Sequence, residues 1–473
     1  MTEKILLQLP IGTHKPILEL VISYADNLIK AGNDVTILKC AGNQDACHYN
    51  PLGAPATCRK CKKRARKGLE KLSGNYQLIE TESGNTPSFP YRNMEELKAI
   101  THLGTNVGFS ALSTYASLTR SANIDFDNKK TRLVIDRYLH TACVVAETTQ
   151  NLQSKFDFDR FVLFNARFNT YRSFFDTALN QSIPVDVLEL NFNRENAMIF
   201  KNAMPHDISS NAEHIKNLFE RTGLERAQET GETFFKNRAQ SLFSNEASYT
   251  KNQKAELMPL GWDENNKNIV IFNSSEDEFM AVGGEWEQDK LFPTQYDGLK
   301  FISEYAKSSN AHFYVRVHPN LAGTQQSYLD LLSSLNHSKF VVIPAESKIS
   351  TYSLLFKCDK VITFGSSIGV EATYWDKPSI LLGTCFYKHL DIAYMPETTD
   401  RLIELLESEL QPIDNKLGCI KIANHWLNPG TPVPGYSFKD GKGYVNDERI
   451  PKGRSILQKM EGKYRKLYLK EVR

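Results

Sequence analysis

Short apolar runs alternate with longer amphipathic stretches along most of this chain, and the spacing predicts strands feeding helices. Residues 4–9 form an apolar run that ends at a loop holding Gly12, Thr13 and His14. An amphipathic helix is expected from about 16 to 31, stopped by Gly32-Asn33, and a second apolar run follows at 34–39. This opening reads as a βαβ unit whose first loop lies at the carboxyl edge of a parallel sheet. Between 40 and 67 the pattern dissolves into a loop rich in Cys, Pro, Gly and basic residues. A largely helical stretch is expected over 93–154, with further buried strands at 160–164 and 185–190 around a helix at 170–181. Helices continue from 208 to about 244.

A polar stretch at 253–268, with Pro259-Leu260-Gly261, reads as a linker. Beyond it, strands are expected at 269–273, 313–317, 340–343, 360–364 and 379–382, separated by helical segments. A basic amphipathic helix at 454–469 closes the chain. The fold class is therefore α/β, with two Rossmann-like domains facing a cleft: an N-terminal domain over 1–255 with a cysteine-rich insertion at 40–67, and a C-terminal domain over 256–440. Residues 441–473 are expected to pack back on the first domain or rest on a membrane.

Two strand ends in the second half carry candidate chemistry. Tyr314-Val315-Arg316-Val317-His318-Pro319 begins as a buried strand and ends in cationic residues before a proline that stops the strand. Thr363-Phe364-Gly365-Ser366-Ser367-Ile368-Gly369-Val370-Glu371-Ala372 passes from an apolar strand through a small polar turn into a helix. His318 suits a hydrogen bond to a phosphate oxygen, or charge neutralisation when protonated, and Arg316 a bidentate phosphate contact. Gly365, Ser366 and Ser367 would present hydroxyls and backbone N–H groups to a phosphate, and Glu371 would accept from ribose hydroxyls. The plain alternatives are a histidine capping a loop carbonyl, Ser366 as a helix cap and Glu371 as a partner of the helix dipole. Together the two segments favour a nucleotide cradle.

The 473 residues exceed one ordinary core, which agrees with two domains. A net charge of +2 argues against a protein devoted to nucleic acid. No apolar run reaches the roughly 18 residues needed to span a bilayer, and the first residues lack a signal peptide's apolar stretch. The expectation is a cytoplasmic protein. Cys40, Cys47, Cys58 and Cys61 cluster in sequence at a spacing that suits a tetrahedral structural Zn²⁺, and an iron–sulfur cluster less well. Four unrelated thiols are the alternative. Cys143 and Cys358 lie in apolar contexts typical of core packing. Seven of the nine residues from Arg59 to Lys67 are basic, which suits nucleic acid, a polyanionic acceptor, an anionic membrane surface at the inner face, or a solvated helix start.

The Arg-x-His-Pro strand end, the Gly-Ser-Ser-x-Gly-x-Glu-Ala turn and Lys377-Pro378 resemble the capsular-polysaccharide and surface-carbohydrate glycosyltransferases of GT-B fold. These include Kdo-transferase-type enzymes and, more distantly, bacterial sialyl- and polysialyltransferases that use a His-Pro motif and a Ser-Ser pair. Phe164-Asn165-Ala166-Arg167-Phe168, Tyr171-Arg172, Glu189 and Met204-Pro205-His206-Asp207 are similar to a run in the same group. There the first motif usually reads Asn-Gly-Arg and the glutamate segment Glu-Arg-Gly, so this chain departs at Ala166 and at Leu190-Asn191. The resemblance covers most of residues 1–390.

It implies transfer of a sugar, favoured as a CMP-activated acidic sugar such as Kdo or a nonulosonic acid, from a nucleotide sugar to a glycan or glycolipid acceptor. No catalytic divalent metal is expected, because cationic residues and serine hydroxyls meet the leaving phosphate's charge. Glu189 and His14 are the candidate catalytic groups; Asn165, Arg167 and Arg172 would grip an anionic sugar or lipid phosphate. His14 and Glu189 have bland alternatives as loop and strand-end residues, and His206-Asp207 as the start of the helix at 208. A nucleotide-sugar 2-epimerase, a CDP-alditol phosphotransferase and a zinc-organised nucleic-acid- or partner-binding protein are the other functions the sequence leaves open.

Overall fold

The structure is a computed structural model that describes all residues except 1, 83, 85–86, 121, 241–252, 255–256, 289, 323–325 and 452–473. The chain forms two compact units, one of Met1–Asp207, Asp277–Gly283 and Pro429–Arg473, the other of Ile208–Glu276 and Gly284–Asn428.

In the first unit, β1 (Lys4–Gln8), β2 (Asp34–Lys39), β3 (Gln77–Glu80), β4 (Arg160–Phe164), β5 (Val185–Leu190) and β6 (Ala197–Lys201) form one sheet. Its order is β3-β2-β1-β4-β5-β6, parallel throughout except that β6 runs antiparallel to β5. In the second unit β7 (Asn268–Phe272), β8 (His312–Arg316), β9 (Phe340–Ile343), β10 (Lys360–Thr363) and β11 (Ser379–Leu381) are ordered β11-β10-β7-β8-β9, all parallel. Ile5, Leu6 and Leu7 are all inaccessible, as are Ile269, Val270 and Ile271. Consecutive buried residues mean that both faces of each sheet are covered, which is why these strands read as unbroken apolar runs. Two Rossmann-like sheets were expected and both are present.

Each sheet reverses its winding once: between β1 and β4 in the first unit, and between β7 and β10 in the second. The carboxyl ends of strands at such a reversal leave a crevice where ligands bind. Helices α1 (Ile17–Lys30), α2 (Pro55–Leu69), α3 (Met94–Lys98), α4 (Val107–Thr119), α5 (Lys129–Phe156) and α6 (Arg172–Asn180) belong to the first unit. The second holds α7 (Ile208–Thr222), α8 (Leu224–Ala239), α9 (Gln295–Ala306), α10 (Gln326–Ser333), α11 (Thr351–Lys357), α12 (Ile368–Tyr374), α13 (Thr399–Glu407) and α14 (Lys416–Leu427). None of the helices among the described residues is long and apolar enough to cross a membrane.

Three features differ from the sequence expectations. The units divide at Asp207/Ile208 rather than at 255/256. The reason is packing: Ile215 of α7 and Ala227, Phe234 and Phe235 of α8 share a core with Val370, Cys419, Ile420 and Ala423. The chain returns to the first unit at Pro429 rather than at 441, through the hairpin β12 (Tyr436–Lys439) and β13 (Lys442–Val445), which packs on α1. The cysteine-rich stretch is not all loop, because α2 begins at Pro55, a residue suited to the first helical turn. The basic run on α2 is split: Arg59, Lys63 and Arg66 are exposed, while Arg64 is buried in an ion pair with Glu19 and donates to the Gly12 carbonyl at 2.6 Å. The expected closing helix at 454–469 lies outside the described residues.

Candidate active site

In the first unit the loops after β1, β4 and β5 bring the expected residues to the carboxyl edge of the sheet. His14 follows β1, and its ring stands edge-on to Phe164, at the end of β4, with centroids 5.3 Å apart. Tyr49 and His48 lie 4.9 and 5.7 Å from the same ring. Burial, with the nearby charges of Arg194 and Arg64, lowers the His14 pKa to about 4. The imidazole is therefore neutral near pH 7, and its Nδ1 has no hydrogen-bond partner among the described residues.

Immediately after β4, Asn165 and Ala166 both adopt left-handed backbone conformations, with φ of 64° and 62°. Asparagine tolerates this region, but a Cβ there costs most residues roughly 1–2 kcal/mol. Ala166 stands where the resembling sequences usually carry glycine, so this chain holds a strained turn at the sheet's reversal point. Ala166→Gly should relieve that strain. Part of the gain is returned as extra freedom of the unfolded chain. The net expectation is a stabilisation of about 0.5–1 kcal/mol, read from the midpoint of urea unfolding; a destabilised variant would contradict it.

The turn aims Asn165 at the end of β5. Its Nδ2 donates to Glu189 Oε2 at 2.8 Å, and the Leu190 amide donates to Oε1 at 3.0 Å. Burial outweighs these donors and the charge of Arg167, and pushes the Glu189 pKa up to about 7. A carboxyl held there exchanges a proton near neutral pH, as a general acid or base requires. Arg167 is buried over the Phe168 ring at 4.6 Å, and its guanidinium donates to the Glu278 carbonyl. Its pKa is lowered by burial to about 10, so it remains a cation. His206 belongs to the same neighbourhood, kept neutral by burial and by Arg167 and Arg172.

Arg172 is placed differently from expectation. It forms an ion pair with Asp176 at 2.8 Å and donates to the Val282 carbonyl at 2.9 Å. Both contacts pin main chain and helix, which leaves Asn165, Arg167 and Glu189 as the grouped polar set.

In the second unit the loops after β7, β8 and β10 carry the second set. His318 Nδ1 accepts from the Asn320 amide at 3.2 Å and faces Ser275 Oγ at 3.3 Å. An accepting Nδ1 puts the proton of a neutral imidazole on Nε2. Burial and the charge of Arg316 lower the His318 pKa to about 4, so the ring is a neutral donor rather than the cation considered above. Its backbone amide is fixed by Asn273 Oδ1 at 2.7 Å. Asn273 and Ser275 were not singled out from the sequence. The signal was present, because Ile269–Phe272 passes into Asn273-Ser274-Ser275 just as the β10 strand passes into Gly-Ser-Ser.

Gly365 adopts a φ of +121°, and a Cβ there would meet the Thr384 carbonyl oxygen at 3.1 Å. Only glycine fits that turn. The expected backbone N–H donors are partly used: Gly365 and Ser366 amides donate to Thr363 Oγ1 at 3.2 and 2.8 Å. Two further roles change. Arg316 is buried, and its guanidinium donates to the Pro344, Ser347 and Val317 carbonyls at 2.6, 3.1 and 3.2 Å. It fastens the loop after β9 instead of presenting a fork to phosphate. Glu371 is inaccessible, paired with Arg238 at 3.1 Å and accepting from the Tyr352 hydroxyl. Both carboxylate oxygens are occupied, so the expected ribose contact is replaced by a structural one.

Cys40, Cys47, Cys58 and Cys61 come together around one cavity of the first unit, bordered also by Gly12, Thr13, Tyr49 and Asn50. Among the described residues, no three His, Cys, Asp or Glu side chains are grouped so as to hold one metal ion. Cys143 and Cys358 are core residues, 0% and 1% exposed, as expected.

Residues 245–401 match the model of the family described as capsule polysaccharide biosynthesis protein. The match takes in His318, the Gly365–Ser367 turn and Glu371, so the kinship expected from those motifs is borne out over this segment. No curated protein matches. Among solved structures, the chain is similar to the KpsC beta Kdo 2,4 transferase of Thermosulfurimonas dismutans at 16% identity, over 61% of this chain and 84% of that one, with a TM-score of 0.39. The beta Kdo 2,7 transferase of the same protein and organism gives 18% identity over 64% and 87%, TM-score 0.37. The UDP-GlcNAc 2-epimerase of Neisseria meningitidis gives 13% identity over 90% and 98%, TM-score 0.29.

Proposed function

We propose that this chain, residues 245–401 of which match the capsule polysaccharide biosynthesis protein family, is a glycosyltransferase. It would move a sugar from a nucleotide-activated donor to a cell-surface glycan or glycolipid. The observation that supports this most is Glu189, a carboxyl with a pKa of about 7 oriented by Asn165 at the end of β5. In the proposed reaction the acceptor hydroxyl attacks the anomeric carbon and gives its proton to the Glu189 carboxylate. The bond from the anomeric carbon to the donor phosphate breaks, and its electron pair leaves on the phosphate oxygen. In the second unit, His318 Nε2–H and the hydroxyls of Ser366 and Ser367 are the groups assigned to that phosphate. The chemistry so assigned uses no divalent metal at the reaction centre.

A CMP-linked acidic sugar is the favoured donor, on the strength of the His-Pro and Ser-Ser pair. Arg167, a buried cation beside Glu189, suits an anionic group on the acceptor side. The exposed Arg59, Lys63 and Arg66 on α2 suit a lipid-linked or polyanionic acceptor at an anionic surface.

A thermal-shift panel of CMP, CDP, UDP and GDP tests the donor assignment, since a ligand that binds only the folded state raises its melting temperature. CMP should stabilise most. His318→Ala should weaken the binding of that nucleotide about 10- to 100-fold, the range for a lost hydrogen bond to a charged group. Stabilisation by none of the four would remove the reading, and an unchanged affinity in the variant would remove His318 from the phosphate site.

A further inference from the structure

The four clustered cysteines stand apart from the chemistry of transfer, and their surroundings are more specific than their spacing in sequence. They arrive from three places: Cys40 from the end of β2, Cys47 from the loop beyond, and Cys58 and Cys61 from successive turns of α2. All four border one cavity. Each sulfur is also met by an N–H donor. The Gly42 amide points to Cys40 Sγ at 3.2 Å, Asn50 Nδ2 to Cys58 Sγ at 3.2 Å, and the Gly12 amide to Cys61 Sγ at 3.1 Å. The Tyr49 amide serves Cys47, and the Gln44 and Thr13 amides add to Cys40 and Cys61.

A neutral thiol is a weak acceptor, so a shell of N–H groups aimed at four sulfurs has little purpose in an ordinary core. Thiolates bound to metal are different: they carry negative charge, and hydrogen bonds to the sulfurs orient and tune them. A single tetrahedral ion draws its four sulfurs to about 2.3 Å from one point. Here the four sulfurs line one cavity, and a core of several metal atoms in which each thiolate holds its own would fill it.

We propose that Cys40, Cys47, Cys58 and Cys61 hold a [4Fe–4S] cluster, one cysteine to each iron. This replaces the expected zinc with the alternative that the cavity accommodates better. Ligation exchanges each S–H proton for an iron and releases it to solvent. Four thiolates leave such a site with net negative charge, and the exposed Lys62 borders the cavity as a countercharge. The cluster would also tie three segments to the β1–α1 loop: Gly12 serves Cys61, and Tyr49, two residues after Cys47, packs on His14. The assignment concerns the first unit alone and does not depend on the transferase reading.

The test uses the unmodified full chain, purified without oxygen. It should contain about four iron and four acid-labile sulfide per chain, with a broad visible absorption that bleaches on reduction with dithionite. If iron is depleted on isolation, ferric iron and sulfide, with a thiol reducing half of the iron, should restore both counts. Cys47→Ser should lower them together while the chain stays folded, as read from its far-UV circular dichroism. One zinc per chain without sulfide, two iron with two sulfide, or a folded protein that takes up neither metal after reconstitution would each overturn the proposal.

Discussion

Glu189→Gln should lower turnover by about 10²- to 10⁴-fold, the usual contribution of a positioned proton-transfer group, while nucleotide affinity stays unchanged. The amide keeps the size of the side chain and an acceptor oxygen for one of the two donors, Asn165 Nδ2 and the Leu190 amide, so the side chain still fills its place at the end of β5. What is lost is the capacity to take a proton. The wild-type pH profile carries an independent sign. Burial holds the Glu189 pKa at about 7; below that value the carboxyl is protonated and cannot act as a base. With the nucleotide sugar whose nucleotide stabilises the protein, kcat/KM should rise tenfold per pH unit up to about 7 and level off above. The Gln variant should lose that limb. A rate that falls through pH 7 would make Glu189 a general acid, and an undiminished rate in the variant would remove it from the chemistry.

Both sheets were legible in the sequence because their strands are buried on two faces. Residues 160–164, 185–190 and 340–343 match β4, β5 and β9 residue for residue. The elements missed are those without that burial: β3 has only half-buried or exposed residues, the edge strand β6 buries only Ala197 and Phe200, and β12 and β13 are short hairpin strands. Pro55 reads equally as loop or helix start until the turns that follow are seen to pack, so α2 was hidden within the cysteine-rich stretch.

The candidate site was legible in its positions and less so in its employments. Strand ends at a reversal point can be read from apolar runs that turn small and polar. Whether a side chain there faces a ligand or is spent on the protein depends on distant sequence. Arg316 is spent on the loop at Pro344–Ser347, and Arg172 partly on the Val282 carbonyl, 110 positions away. Glu189 shows the converse. Its raised pKa follows from burial, which outweighs the Asn165 and Leu190 donors and the charge of Arg167.

Glu371→Ala should strongly destabilise the second unit. Glu371 is inaccessible, and its carboxylate joins Arg238 of α8 to Tyr352 of α11. Removing it strands the Tyr352 hydroxyl and leaves the Arg238 guanidinium, 20% exposed, without its anion. Breaking a buried pair on one side typically costs about 3–5 kcal/mol. The partial exposure of Arg238 lets water offset some of that cost, so the lower end of the range is expected for the urea-unfolding transition of this unit. Glu371→Gln keeps one acceptor oxygen for Arg238 and replaces the other with an NH2 that must donate to the Tyr352 hydroxyl; it loses the charge and should cost less than the alanine variant. Arg238→Met should be harmful alone, because it leaves a carboxylate inside; combined with Glu371→Met it should recover part of the loss. If Glu371 held the ribose instead, Glu371→Gln would leave stability intact and erase the preference for ribonucleotides over 2′,3′-dideoxynucleotides. The geometry predicts the reverse: lower stability, with that preference unchanged.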